Sequence, residues 1–100
     1  MNPEDLKYLT DEQKTRYMML DRLFNQPGWA VVVELAKTRA MEQRDRAAFA
    51  KSWDDNRVAL GAGFVYNEFS QLQETTDMEF AQLALNAKQV AQEEDETEHE

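Results

Sequence analysis

From Trp29 to Trp53 the chain runs without a glycine or a proline, and the segment that holds this run, PGWAVVVELAKTRAMEQRDRAAFAKSW, opens on Pro27-Gly28. Pro27 suits the first turn of a helix, where its missing N–H costs nothing. A helical repeat of about 100° per residue sorts the apolar residues that follow into two stripes. Trp29, Val32, Val33, Ala36, Ala40, Ala47 and Ala50 form one, and Val31, Leu35, Phe49 and Trp53 form the other. A surface helix needs only one apolar stripe, so this pattern predicts a helix covered from two sides. The alanines of the first stripe let another helix come close. The triplet Val31-Val32-Val33 favours a strand when taken alone, but the alanines and the helical period after it argue for a helix.

The rest of the chain reads as shorter helices around that one. Asn2-Pro3-Glu4-Asp5 has a capping residue, a proline and acids in the order that starts a helix, predicting one or two turns to about Leu9. Thr10 and Gln13 have the spacing of a capping box, and the helix they open should run to about Phe24, with Tyr17, Leu20 and Phe24 on one face. Met18 and Met19 fall off that face and read as flexible gap-fillers. Asn25-Gln26-Pro27-Gly28 breaks the helix. Ser52-Trp53-Asp54-Asp55 has capping-box spacing again and predicts a boundary or bend. The alternative is one continuous helix from Trp29 to about Leu72, on the order of 65 Å long, which a monomer of this size could hardly bury.

The helix from about Trp53 to Gln73 shows Val58, Gly61, Ala62, Val65, Phe69 and Leu72 on one face and Leu60 and Phe64 on a second. Each helical glycine costs about 1 kcal/mol against alanine, so Gly61 and Gly63 predict a close helix–helix approach. Thr76 and Glu79 have capping-box spacing and predict the start of a last helix, with Phe80, Leu83, Ala84, Ala87 and Val90 inward. The chain then ends on EEDETEHE, a run that such composition keeps solvated, or that simply prolongs the helix. The fold predicted is all-α: a long antiparallel helical hairpin, shorter flanking helices at the N- and C-termini, and an acidic tail. In residues, this is one helical domain over 1–92 and a tail over 93–100.

The net charge of −9 is placed unevenly. Residues 93–100 hold six of the twenty acids, leaving 14 acids against 11 bases through Gln92. The balanced remainder lacks the clustered Lys and Arg that phosphate contacts need, so direct nucleic-acid binding is not expected. Residues 37–57 carry six bases and residues 58–87 carry none, which an antiparallel pairing would place side by side. No apolar run approaches the ~18 residues of a membrane span. The first residues, MNPEDLKYL, lack the pattern of a signal peptide. No membrane partner is expected, and the chain should be made in a cytoplasm.

Catalytic chemistry has no candidate. There is no cysteine, hence no disulfide, thiolate nucleophile or thiolate metal site. A hydroxyl nucleophile needs a base within reach, and the one histidine, His99, lies in the acidic tail. Asp54 and Asp55 are neighbours that point apart on a helix and read as cap and dipole partners. Neither the Glu-x-x-His pairs of di-iron bundles nor a phosphate-binding glycine loop occurs. No enzyme activity, metal or cofactor is expected. What remains is contact surface, with Val31, Leu35, Phe49, Trp53, Leu60 and Phe64 the candidate partner interface and Gly61 and Gly63 the close packing positions.

Leu23-Phe24, the Pro27-Gly28-Trp29 opening of the long helix, the polar stretch Glu42–Arg46, Asp54-Asp55, and Gly61-Ala62-Gly63-Phe64 with Phe69 together give an order of features. Over about Leu20 to Leu85 this order resembles short helical proteins encoded among the structural genes of tailed bacteriophages. The resemblance implies a virion component or head-assembly accessory, present in many copies and contacting itself, a portal protein or a capsid protein. It is one of packing and assigns no binding residue. Ala62, where that pattern has a basic residue before Gly63, and the acidic tail depart from it and leave the partner open. The expectation is a non-enzymatic structural or adaptor protein of a virion. The alternative is an acidic inhibitor that mimics DNA and binds a nucleic-acid-interacting host protein; acids gathered in a tail rather than spread over a folded face argue against it.

Overall fold

The computed structural model describes residues 1–98, and all regular structure among them is helical. A short 3-10 helix, Pro3–Tyr8, precedes α1 (Asp11–Phe24), α2 (Pro27–Ala48), α3 (Trp53–Ser70) and α4 (Leu72–Glu98). His99, the one histidine, lies outside the described residues.

Local chemistry accounts for most of the boundaries. Thr10 and Gln13 close the expected box: the Gln13 N–H donates to Thr10 Oγ1 at 3.1 Å, and the Thr10 N–H donates to Gln13 Oε1 at 2.9 Å. Each bond satisfies a donor that the first helical turn would otherwise leave unpaired. Ser52 caps α3 by accepting the Asp55 N–H on its Oγ at 3.1 Å. Pro27 opens α2, which stops at Ala48 when the chain turns at Phe49. The first helix is of the 3-10 type, and the Asn2 side chain makes no capping bond; Pro3 and the acids suffice to start so short a turn.

Two boundaries differ from expectation. The break between α3 and α4 falls at Gln71, not at Thr75-Thr76, because the Gln71 N–H bonds back to Glu68 at 3.2 Å and helix resumes at once. Thr76 is therefore a buried residue inside α4 rather than its cap. At the other end α4 continues through the acidic run to Glu98.

The contacts gather into two compact units. One joins Met1–Leu23 to the chain from Glu74 onward. Its core is Leu9, Tyr17 and Ala84, with Met1, Leu6, Tyr8 and Phe80 packed on them. The Tyr17 and Phe80 rings meet edge to face at 5.4 Å between centroids, a favoured aromatic geometry. Ala84 is the innermost residue, 2 % exposed, while Leu83 and Val90, expected on the inner face, are exposed. The inner face of α4 is instead the line Thr76, Phe80, Ala84 and Lys88, at the three-to-four-residue spacing of a helix.

The other unit is Phe24–Gln73, in which α2 and α3 pack on each other. Trp29, Ala36, Ala40 and Ala47 of α2 are buried, the alanine-rich stripe of the sequence. On α3 only Ala59 is fully buried, and Val58, Val65 and Phe69, which share one face by periodicity, are exposed. The reason is the narrowness of the contact. A Cβ on Gly63 would lie 3.5 Å from Gln43 Cβ and 3.6 Å from the Ala40 carbonyl oxygen, so small residues occupy the centre line and larger ones are displaced to its sides. Gly61 was expected at the same approach and is not there. Two residues along a helix is about 200° of rotation, and nothing lies within 4 Å of where its Cβ would be.

Candidate functional site

Trp29, near the start of α2, packs between two phenylalanines with tilted rings. Its ring centroid is 4.9 Å from Phe24 and 5.9 Å from Phe69. Trp29 is 8 % exposed, and among the described residues its indole N–H has no hydrogen-bond partner. A buried donor left unpaired costs about 1–3 kcal/mol, which the aromatic burial around it must offset. At the far ends, Asn56 Nδ2 donates to the Ala47 carbonyl at 2.8 Å. Between these points lies the alanine and glycine contact.

The two tryptophans have opposite fates. Trp29 is core; Trp53, the first residue of α3, is 73 % exposed. Every member of the second stripe of α2 is exposed as well, Phe49 most of all at 85 %, and Val31 and Leu35 nearer the start of the helix. Leu60 and Phe64 of α3 are also exposed. So are Met18 and Met19 of α1, which fill no gap.

The six residues singled out from the sequence do not form one surface. At about 100° per residue, Leu35 falls on one side of the α2–α3 contact line and Leu60, Phe64 and Trp53 on the other. Leu35 lines a groove of about 290 Å³ with Val32, Ala36 and Arg39 of α2 and Val65, Tyr66 and Phe69 of α3. Val31 and Phe49 lie further round α2 on this same side. Leu60 and Phe64 line a second depression of about 240 Å³ with Ala40, Arg44, Gly63 and Asn67. The periodicity puts Val65 and Phe69 on one face of α3; their place beside Leu35 depends on which way α3 is rotated, and single-helix periodicity leaves that open.

The Arg16–Glu12 pair at 2.9 Å and the Arg39–Glu42 pair at 3.0 Å both lie within one helix and are well exposed; such pairs contribute under about 1 kcal/mol. In the unit that joins the chain's ends, the Lys7 and Lys88 ammonium groups sit 5.1 and 6.0 Å from the Tyr8 ring centroid, within cation–π reach. Tyr17 has its phenol pKa raised, first by burial and then by the Asp77 and Asp21 carboxylates. The terminal amino group of Met1 is 3.4 Å from its hydroxyl.

Among the described residues, no three His, Cys, Asp or Glu side chains are grouped to hold a metal ion, and no helix is long and apolar enough to cross a membrane. Asp54 and Asp55 stand in the first turn of α3, where negative charge suits the helix dipole. No family model matches the chain, and no curated protein and no solved structure matches it either.

Proposed function

We propose that this chain is a non-enzymatic structural or adaptor protein that works by offering helix faces to other protein chains, as a virion component or head-assembly accessory of a tailed phage. One observation carries the contact role. The buried centre of the Phe24–Gln73 unit is mostly alanine, while its large apolar side chains, Leu35, Phe49, Trp53, Phe64, Val65 and Phe69 among them, face solvent. Exposed apolar area on this scale in a small chain marks interaction sites. The phage setting rests on the resemblance of the segment from Leu20 to Leu85. The architecture beneath it is an antiparallel hairpin of α2 and α3. Supporting it is the order of contacts: Trp29 meets Phe69, Gln43 lies by Gly63, and Ala47 bonds Asn56, so positions rise along one helix as they fall along the other. The test is mass spectrometry and immunogold labelling of purified particles from the phage or prophage that encodes the chain. The expected result is a fixed copy number per particle; particles free of it would remove the virion role.

The inhibitor reading has one observation in its favour. Helix α4 carries Glu93, Glu94, Asp95 and Glu96 as exposed residues on a regular backbone, so these acids have defined spacing. Removing residues 93–100 separates the two readings: loss of a nucleic-acid-competitive activity supports the mimic, and unchanged assembly into particles supports the adaptor.

A further inference from the structure

The geometry points to a second copy of this chain as the partner of the Leu35–Val65–Phe69 side of the α2–α3 pair, the two pairs closing into a four-helix bundle. This names the partner within the adaptor reading and rests on it.

Three observations converge. First, an alanine-lined pair of helices buries one narrow stripe on each, and here the larger apolar residues flank that stripe as two ridges with an apolar groove between them. A helical hairpin that shows apolar ridges along one side has the surface that four-helix bundles bury, knobs of one pair entering holes of the other. Second, the size fits. The exposed parts of Val31, Val32, Leu35, Val58, Val65, Tyr66 and Phe69, if all were covered, set an upper limit on the order of 700 Å² per copy, which approaches the about 800 Å² per partner of a standard stable interface. Third, the charges permit self-pairing on this side, where Glu42 also pairs with Arg39. The ionic groups lining it, Arg39, Arg46 and Asp55, are of both signs.

The test uses the full chain, in three arms. Sedimentation equilibrium should give twice the 11.7 kDa chain mass, and the double variant Leu35→Glu with Val65→Glu should give the single mass with its helical circular dichroism kept. The variant Leu60→Glu, on the opposite side, should stay dimeric. Should the double variant unfold instead, spin labels decide. The protein has no cysteine, so Leu35→Cys and Leu60→Cys each carry one label, and the inter-copy distance must be shorter from position 35 than from position 60. A wild-type chain that is monomeric at all concentrations overturns the pairing, as does a shorter distance from position 60. A monomer still found in particles overturns the pairing alone; a dimer absent from particles overturns the virion role alone.

Discussion

Asn56 Nδ2 reaches back across the α2–α3 turn to the carbonyl oxygen of Ala47, 2.8 Å away. Ala47 is one residue from the end of α2, where its carbonyl accepts the Ala50 N–H at 3.4 Å, and a side chain from the first turn of α3 adds the shorter bond to this cap. Replacing Asn56 with alanine removes this bond and leaves the Ala47 carbonyl with the longer backbone bond from the Ala50 N–H, a loss of about 0.5–1.5 kcal/mol. Urea denaturation of Asn56→Ala should show it as a lower midpoint at unchanged slope. Asn67→Ala, at an exposed position on the same helix, should leave the midpoint within a few tenths of a kcal/mol.

Trp29 keeps its aromatic contacts and lacks an acceptor for its N–H. Trp29→Phe should therefore cost little, under about 1.5 kcal/mol, because it deletes an unpaired donor along with some volume. Trp29→Ala opens a cavity between Phe24 and Phe69 and should cost about 3–5 kcal/mol. Thermal unfolding of the two variants side by side checks the ratio; equal losses would mean the indole N–H has a partner in solution.

The two glycines of α3 separate cleanly. Gly61→Ala adds a methyl into open space and gains helix propensity, so it should stabilise by up to about 1 kcal/mol. Gly63→Ala meets its neighbours at ordinary contact distance and should also be tolerated. Gly63→Leu cannot fit between α3 and the Ala40–Gln43 backbone without parting the helices, and should destabilise by about 1–3 kcal/mol. Chemical denaturation of the three variants tests the order Gly61→Ala, Gly63→Ala, Gly63→Leu.

Alkaline pH should loosen the unit that holds Tyr17. Burial, then Asp77 and Asp21, raise its phenol above the ordinary value of 10.0, so the folded state favours the neutral form. That contribution is fully present below the unfolded value and is lost as pH rises through the raised folded value. Thermal midpoints of the wild type should fall above about pH 10, and Tyr17→Phe should flatten that fall while keeping the ring contact with Phe80. An unchanged alkaline slope in the variant would assign the effect to other groups.

How much was legible follows from where the determining forces act. Thr10–Gln13 and Ser52–Asp55 were readable as caps because a capping bond spans three residues and depends on nothing further away. The Trp29, Ala36, Ala40 and Ala47 stripe was readable because small residues at helical spacing have few uses other than close approach. Thr76 misled for the same local reason: its spacing to Glu79 looks like a cap, and only burial shows that the helix has already begun. Leu35, Leu60 and Phe64 were legible one by one as apolar residues outside the alanine stripe, and they are exposed, but their division between two sides was not.

The sequence by itself determined that the chain is helical, that it breaks at Asn25-Gln26 and near Ser52, and that α2 carries more apolar surface than one neighbour can cover. Only the tertiary structure decided which side of α3 meets α2. The rotation of one helix against another is set by how closely the backbones approach, and here Ala40, Ala59 and Gly63 permit an approach that turns Val58, Val65 and Phe69 outward. That approach depends on residues 19 to 23 positions apart in the chain. It has no trace in the periodicity of either helix alone, which is why the larger side chains looked like core and lie on the surface.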